Sequence, residues 1–442
     1  MNETRTLIKQ TPEHVGETVT LCGWVHIRRD HGKLIFLVLR DRSASIQLVV
    51  SPENEAALVS AKDVRAEYAL EVTGLVKTRP GKVDQSDPTG GVEIDVTALK
   101  VLSQPAQELP IDISKQDLDL NLETLLTHRT LSLRNEKVQA IFKIYSEMLL
   151  AYSEALRQED FLEIKTPKIL SAATEGGANF FKIKYFDRDA FLAQSPQFYK
   201  QAAMSAFERV FEVGVVFRAE PSFTTRHVTE YTGLDAEMGF INGVEDVMAM
   251  LEKTMQHVFK HIGETCQKEL ALFGASVPEQ VAIPRIKLSE AFEILKNEYN
   301  KVIPEGEDID SEGERMIGEY AKKKYGSDLI FLTHYPTAVR AFYSLPSPEN
   351  PKLSESYDLV FRGLEIASGA ERVHEYQMLV DILKARGLDP EQFSDYLEIF
   401  KNGTPRHGGW GLGSERIIQK LLGLETIKEA ILYPRDVKRL TP

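Results

Sequence analysis

FEVGVVFRAEPSFTTRHVTEYTGLDAEMGF, residues 211–240, is a strand-like apolar stretch that carries charge where a plain core would carry none. Arg218, Glu220, Arg226, His227, Asp235 and Glu237 all fall within it. Charges that are buried or half-buried have to be paired or bound to a ligand. FLEIKTPKIL (161–170) upstream and GLGSERIIQKLLG (411–423) downstream share the property, the latter a glycine-rich strand running into a helix with Glu415 and Arg416. A structural salt bridge explains any one of these arginines well. Three such segments in this order point instead to a common ligand site.

Around these segments, Val138, Ile141, Phe142, Tyr145, Met148, Leu149, Tyr152 and Leu156 recur at three- and four-residue steps, which predicts one amphipathic helix of about 25 residues. Strand-like runs such as YDLVFRGLEIAS alternate with helices predicted at 244–263 and 312–325. Their irregular order lacks the strand–helix beat of a doubly wound parallel sheet, so a mainly antiparallel sheet flanked by helices is expected, an α+β domain. No P-loop motif occurs, and glycines 409, 411 and 413 in GGWGLGSER have the wrong spacing for a dinucleotide fingerprint. His257 and His261 lie four apart but lack the acidic partner of a zinc helix, and read as a solvated face.

The first hundred residues follow a different period. VTLCGWVHI (19–27), LIFLVLR (34–40), SIQLVV (45–50), YALEVTGLV (68–76) and VEIDVTALKV (92–101) alternate as strands, with a helix predicted over 51–67. Five strands with a helix between the third and fourth is the plan of an oligonucleotide-binding barrel. The proline-bearing, acidic stretch 103–121 reads as a linker. The expected division is therefore a barrel at 1–104, a linker or hinge at 105–130 and the α+β domain at 131–442.

Composition bounds the partners. A chain of 442 residues exceeds what one core usually serves. Its net charge of −13 divides into −1 over residues 1–104 and −12 over the remainder. Within the first part, Arg28, Arg29, Lys33, Arg40 and Arg42 face only Asp30 and Asp41 between residues 24 and 42. Loose attraction to arbitrary polyanions is disfavoured, while a specific nucleic-acid partner at that basic face is not. Cys22 and Cys266 are too few for a disulfide framework. No apolar run reaches 18 residues, and the opening MNETRTLIKQ lacks the order of a secretory signal, so no membrane association and a cytoplasmic location are expected.

The three charged segments resemble the motifs of class II aminoacyl-tRNA synthetases: a segment with an interface proline (Pro167), an Arg-x-Glu pair (Arg218, Glu220) and Gly-x-Gly-x-Glu-Arg (Gly411, Gly413, Glu415, Arg416). ATEGGANFF (173–181), AQSPQFYKQ (193–201), RAEPSFTTRHVTEY (218–231) and GLEIASGAERVHEY (363–376) are similar to the aspartyl branch of archaeal and eukaryotic type. The resemblance spans nearly the whole chain, barrel included. It implies an OB-fold anticodon-binding domain followed by a class II catalytic domain. It also implies ATP-dependent ligation of L-aspartate to tRNA through aspartyl-adenylate, with magnesium as cofactor, and a homodimer built around Pro167.

By the same resemblance Arg218 and Arg416 are the catalytic pair, and Glu175, Gln197, Lys200, Arg218, Asp235, Ser368 and Arg372 hold aspartate. ATP would lie among Arg218, Ala219, Glu220, Arg226, His227, Val228, Glu365, Gly413, Ser414, Glu415 and Arg416, with Glu365 and Ser368 at the metal. An aspartate side chain brings a second carboxylate into a dry pocket, which Lys200 and Arg372 would answer; asparaginyl enzymes of the family do not keep that lysine. On the barrel, Arg28, Phe36 and Gln47 would meet the anticodon, although Phe36 reads equally well as barrel core. Enzymes of the archaeal type that are strict for tRNA(Asp) tend to carry tryptophan where His26 stands and lysine where Pro80 stands. With His31 beside them, these smaller groups imply room for the tRNA(Asn) anticodon too, and so a link to an amidotransferase that converts the product. The rival readings are a tRNA(Asp)-only enzyme, an asparaginyl-tRNA synthetase and a catalytically dead tRNA-binding paralogue.

Overall fold

Alternation of inward and outward side chains along five segments closes the first unit. The computed structural model describes residues 5–80, 89–171, 180–219, 226–304 and 307–441, and the chain divides into two compact units, Met1–Asp119 and Leu120–Pro442. In the first, β1 (Thr18–Asp30), β2 (Ile35–Arg40), β3 (Ser45–Val50), β4 (Ala69–Thr78) and β5 (Val92–Ser103) form a closed barrel in the order β1-β2-β3-β5-β4. Ile35, Leu37 and Leu39 point into its core together with Leu21, Leu48 and Val72. The helix between β3 and β4 covers only Glu55–Lys62, shorter than expected, because Ser51–Asn54 is spent on a turn around Pro52.

The second unit carries β6 (Leu162–Glu163), β7 (Ile169–Leu170), β8 (Lys182–Tyr185), β9 (Arg188–Leu192), β10 (Arg209–Phe217), β11 (Glu230–Gly239), β12 (Arg285–Lys287), β13 (Leu329–Thr333), β14 (Ser356–Phe361), β15 (Leu364–Glu371) and β16 (His407–Gly413). Eight of these form one sheet in the order β12-β13-β14-β15-β16-β11-β10-β6, while β7, β9 and β8 make a separate small sheet. The interior pairs are antiparallel, as expected. Both edges, β12 with β13 and β10 with β6, are parallel. Helices Glu136–Gln158 and Val244–Thr265 share one core with this sheet, joining Met148, Tyr152 and Met248 to Leu234, Ile366 and Trp410.

FLEIKTPKIL is not one strand. Only two residues at each side of a turn pair, and the buried Glu212 carboxylate holds the turn by accepting from Thr166 N (3.0 Å), Thr166 Oγ1 (2.7 Å) and Lys168 Nζ (3.0 Å), leaving Pro167 exposed between them.

The glycine run of β16 has a steric reason. A Cβ on Gly409 would sit 2.1 Å from Ala236 O and 2.3 Å from Glu237 Oε2, whereas one on Gly411 would come no nearer than 3.4 Å to Asp235 Oδ1. Glycine in a central strand marks such a close approach. Gly409→Ala should therefore cost ~3 kcal/mol of stability in denaturant unfolding, and Gly411→Ala should leave the midpoint nearly unchanged. Equal midpoints for the two variants would contradict this packing.

Candidate active site and barrel face

A cavity of about 460 Å³ opens in the second unit. Arg218, Arg372 and Arg416, from three segments far apart in sequence, all line it, and Arg226, His227 and Arg340 line it as well. Its floor is set by strand register. Asp235 on β11 stands across from Gly411 on β16, which stands across from Ser368 on β15, which stands across from Asp358 on β14. Gly411, without a side chain, keeps the middle of that row open. Arg218 lies just beyond the end of β10, its guanidinium 5.6 Å from the centre of the Tyr231 ring. Arg416 comes from the first turn of the helix Ser414–Leu422 that continues from β16.

Beneath this row lies a layer of buried charge. Lys200 Nζ donates to Asp235 Oδ1 (3.0 Å) and Trp410 O (2.8 Å), and lies 3.5 Å from Glu237 Oε2. Arg372 Nε donates to Glu237 Oε1 (2.9 Å). Burial pushes the Glu237 carboxyl up, but Arg372 and Lys200 outweigh it and hold the group below its ordinary range. Lys200 is neither a solvated helix lysine nor part of the cavity wall. The two cations expected to await a dicarboxylate are already matched by two carboxylates, because an unpaired buried charge would cost too much.

Glu365 faces the cavity beside Arg416, whose Nη1 donates to the Glu365 carbonyl (2.7 Å) and lies 3.5 Å from its Oε2. Desolvation raises the Glu365 carboxyl, Asp358 raises it further, and Arg416, Arg340 and Arg218 oppose both. Asp358 pairs with Arg340 (2.7 Å), and Arg340 also donates to Ser368 Oγ (3.0 Å). Asp358 Oδ1 is buried with no hydrogen-bond partner among the described residues. Two neighbouring carboxylates, one with an unsatisfied oxygen, and a hydroxyl fit a hard divalent cation such as magnesium. Asp358 and Arg340 are additions to the expected set. An acid inside the apolar SYDLVF was the available signal for the first.

Gln197, Val228, Gly413 and Glu415 also line the cavity. Ala219 and Ser414, expected at ATP, do not. Ser414 Oγ is turned into the fold, bonding Thr232 O and Tyr145 Oη, each at 2.8 Å. Glu415 accepts from Thr232 N (2.9 Å), so it braces β11 as well as facing the cavity. Arg226 is paired with Glu314 (2.9 Å). Glu175 and Glu220 lie outside the described residues.

On the barrel, parity decides the face. Phe36 alternates with core residues and is half-buried outside them, 5.6 Å from the His31 ring, so it is not barrel core. Gln47 points the same way, donating to Glu93 Oε2 (2.9 Å) and accepting from Arg79 Nη2 (3.3 Å). Arg28, expected beside them, stands across from the inward Leu37 and donates to Asp30 Oδ2 (2.8 Å) and Lys62 O (3.3 Å). Arg29, exposed, is the arginine that stands across from Phe36. A register shift between Val25 and Ile27 puts His26 at a bulge, and Pro80 is exposed beyond β4.

Convergent arginines on a largely antiparallel sheet, with a separate five-stranded barrel, define the build of a class II synthetase. Residues 121–437 match the family described as tRNA synthetases class II (D, K and N), and residues 19–102 match the OB-fold nucleic acid binding domain. The chain belongs to that class II family. It is 43% identical over 439 residues to the aspartate–tRNA(Asp/Asn) ligase of Thermus thermophilus, covering 99% of this chain and 100% of that protein. It is 41% identical over 438 residues to the aspartate–tRNA(Asp) ligase of Pyrococcus abyssi, covering 98% of each. The solved asparaginyl-tRNA synthetase of Pyrococcus horikoshii, complexed with asparaginyl-adenylate, is similar at a TM-score of 0.91 and 32% identity, with 100% of both chains covered.

The charge layer carries a pH signature. A carboxyl held below its ordinary range contributes stability above the unfolded-state pKa, and that contribution is lost as pH falls through the lowered folded value. Glu237→Gln should destabilise by ~3–5 kcal/mol at pH 7. The gap to wild type should narrow below about pH 4, where the unfolded-state carboxyl takes up its proton. Denaturant unfolding of both proteins across that range checks it, and a gap independent of pH would contradict the assignment.

Proposed function

We propose that this chain ligates L-aspartate to tRNA(Asp) and also to tRNA(Asn). The supporting observation is that Arg218, Arg372 and Arg416 line one cavity. In the first step the aspartate α-carboxylate attacks the α-phosphorus of ATP, the bond to the bridging oxygen of the β-phosphate breaks, and pyrophosphate leaves. The nucleophile is already an anion, so no general base is needed. In-line placement and cancellation of negative charge are what the site has to supply. Arg218 takes the α-phosphate and the α-carboxylate, Arg416 the γ-phosphate, and Arg226 and His227 the outer phosphates. Glu365, with Ser368 and Asp358, would hold magnesium, whose charge offsets that of the triphosphate.

Arg372 takes the side-chain carboxylate, since Nη1 is engaged in none of its bonds to Glu237 and Gln197. Asp235 takes the ammonium, and Lys200 acts from below by holding Asp235 in place. In the second step the 3′-hydroxyl of the terminal adenosine of tRNA attacks the aspartyl carbonyl and AMP leaves. On the barrel, Phe36 stacks an anticodon base, Gln47 reads a base edge, and Arg29 meets phosphate. His26, His31 and Pro80 leave room for both anticodons, and an amidotransferase would convert aspartyl-tRNA(Asn). The turn that presents Pro167 supports a homodimer, and the same reading puts the protein in the cytoplasm with ATP as co-substrate. A tRNA(Asp)-only enzyme is the second reading, favoured by the similarly close Pyrococcus abyssi relative.

Arg218→Ala should lower aspartate-dependent exchange of pyrophosphate into ATP by roughly 10²–10³-fold with the unfolding midpoint unchanged. Near-normal exchange would remove Arg218 from the chemistry. Purified tRNA(Asp) and tRNA(Asn), charged side by side, should both accept aspartate at rates within about one order of magnitude. Charging of tRNA(Asn) that is negligible beside tRNA(Asp) would leave the second reading.

A further inference from the structure

We infer that Glu314, which stands behind the cavity wall, is a positioning residue that aims Arg226 at the outer phosphates of ATP and fixes its spacing from Arg416. Resting on the ligase reading, this gives a role to a helix that reading does not use. Glu314 is only 6% exposed, in the first turn of the helix Ser311–Tyr325. Its Oε2 accepts from Arg226 Nη1 (2.9 Å) and, at longer range, from the Glu365 backbone N–H (3.4 Å). The Glu365 carbonyl in turn accepts from Arg416 Nη1 (2.7 Å). Arg226, Glu365 and Arg416 line the cavity, and Glu314 does not.

Backbone packing brings the carboxylate there without help from the ion pair. Gly318 lies one turn beyond Glu314 on the same helix face. A Cβ at Gly318 would sit 2.4 Å from Gly363 N and 2.7 Å from Gly363 Cα. The helix is therefore pressed against the turn between β14 and β15, where Gly363 has a φ of +75°, two residues before Glu365. Asp310 fixes the first turn by accepting from Gly313 N (2.8 Å).

Both arginines directed at the outer phosphates are thereby tied to one residue. Arg226 reaches the N–H of Glu365 by way of Glu314, and Arg416 is bonded to its carbonyl. Arginine has a long side chain, and ordering it before ATP arrives removes that entropic cost from binding. Glu314 also has an opposite effect, since its charge partly cancels that of Arg226. Holding is the larger of the two. A charge-assisted bond to a buried acceptor is among the strong ones, whereas water screens any repulsion of a phosphate at Arg226, whose side chain is 27% exposed.

The test is aspartate-dependent pyrophosphate exchange, with calorimetric titration of magnesium ATP as a second readout. Both are run on wild type, Glu314→Gln, Glu314→Asp, Arg226→Ala and the double variant Glu314→Gln/Arg226→Ala. Glutamine removes the charge, while aspartate keeps it and draws it back by one methylene. In Glu314→Gln the KM and Kd for ATP should rise roughly tenfold, with the KM for aspartate within about twofold of wild type. Glu314→Asp should weaken ATP by about threefold or more, and carries the test should the glutamine variant not fold. The double variant should bind ATP within about threefold of Arg226→Ala alone, because a residue acting through another adds nothing once that other is gone. Tighter ATP binding by Glu314→Gln would make Glu314 a mere countercharge and overturn the inference. Parallel rises in both KM values, or additive losses in the double variant, would make it merely structural and overturn the inference equally. A wild type that binds ATP but is inert with aspartate would sink the ligase reading and leave the ATP titrations to decide Glu314, whereas an active wild type with unaltered Glu314 variants would sink the inference alone.

Discussion

Two buried cations facing two buried carboxylates constrain everything around them in the second unit. Lys200 and Arg372 cannot be taken from water without Asp235 and Glu237, and removing any one of the four strands a charge in a medium where that costs ~3–5 kcal/mol. The antiparallel register of β11, β15 and β16 makes the arrangement possible, because it lines up Asp235, Gly411 and Ser368 in one row. Glycine at 409 lets β16 close against Ala236 O and the Glu237 carboxylate. The cavity floor is thus held by charges that bring no net charge of their own. Arg218, Arg226, Arg340 and Arg416 stand on the walls, Arg226 and Arg340 paired with Glu314 and Asp358, in a chain whose net charge is −13.

This arrangement changes the physical account of amino-acid choice. Two waiting cations would attract any dicarboxylate through charge alone. Two cations already paired leave selection to the hydrogen-bonding groups that remain at the cavity, among them the Arg372 Nη1 edge that its bonds to Glu237 and Gln197 do not use. The direction of a hydrogen bond then matters as much as the sign of a charge. Fully satisfied buried networks of this type rigidify their surroundings, which suits a site that must bring two anions together. Near Glu365 the balance runs the other way. Burial and the neighbouring Asp358 disfavour the charged form of Glu365, and Asp358 Oδ1 has no hydrogen-bond partner among the described residues, so a cation there would relieve both.

The fold was largely legible because its two periods differ. Strict alternation in 19–50 and 68–101 could only be a strand set, and the three- to four-residue spacing from Val138 to Leu156 could only be a long helix. The site was partly legible because charge inside apolar strands is costly enough to need a reason. Strand parity and depth hid the rest. Parity across a strand decides which of two adjacent arginines shares a face with Phe36, and the bulge at His26 shifts that register, so Arg29 rather than Arg28 stands there. Depth was equally unreadable, since nothing in QFYK distinguishes a lysine on the wall from one beneath the floor. Glu314 looks like an ordinary helix acid until Arg226 and the Glu365 N–H are seen to share its Oε2.

In the ligase reading, one cavity holds a dicarboxylate amino acid against an adenosine nucleotide. The most direct measurement is calorimetric titration of the ligand-free protein with the non-hydrolysable sulfamoyl analogue of aspartyl-adenylate, with aspartate and ATP titrated separately. One analogue per protomer should bind, at least 10²-fold more tightly than either substrate alone, with the asparaginyl analogue weaker. Analogue binding no tighter than that of ATP, or unchanged when Arg372 is replaced by leucine, would contradict it.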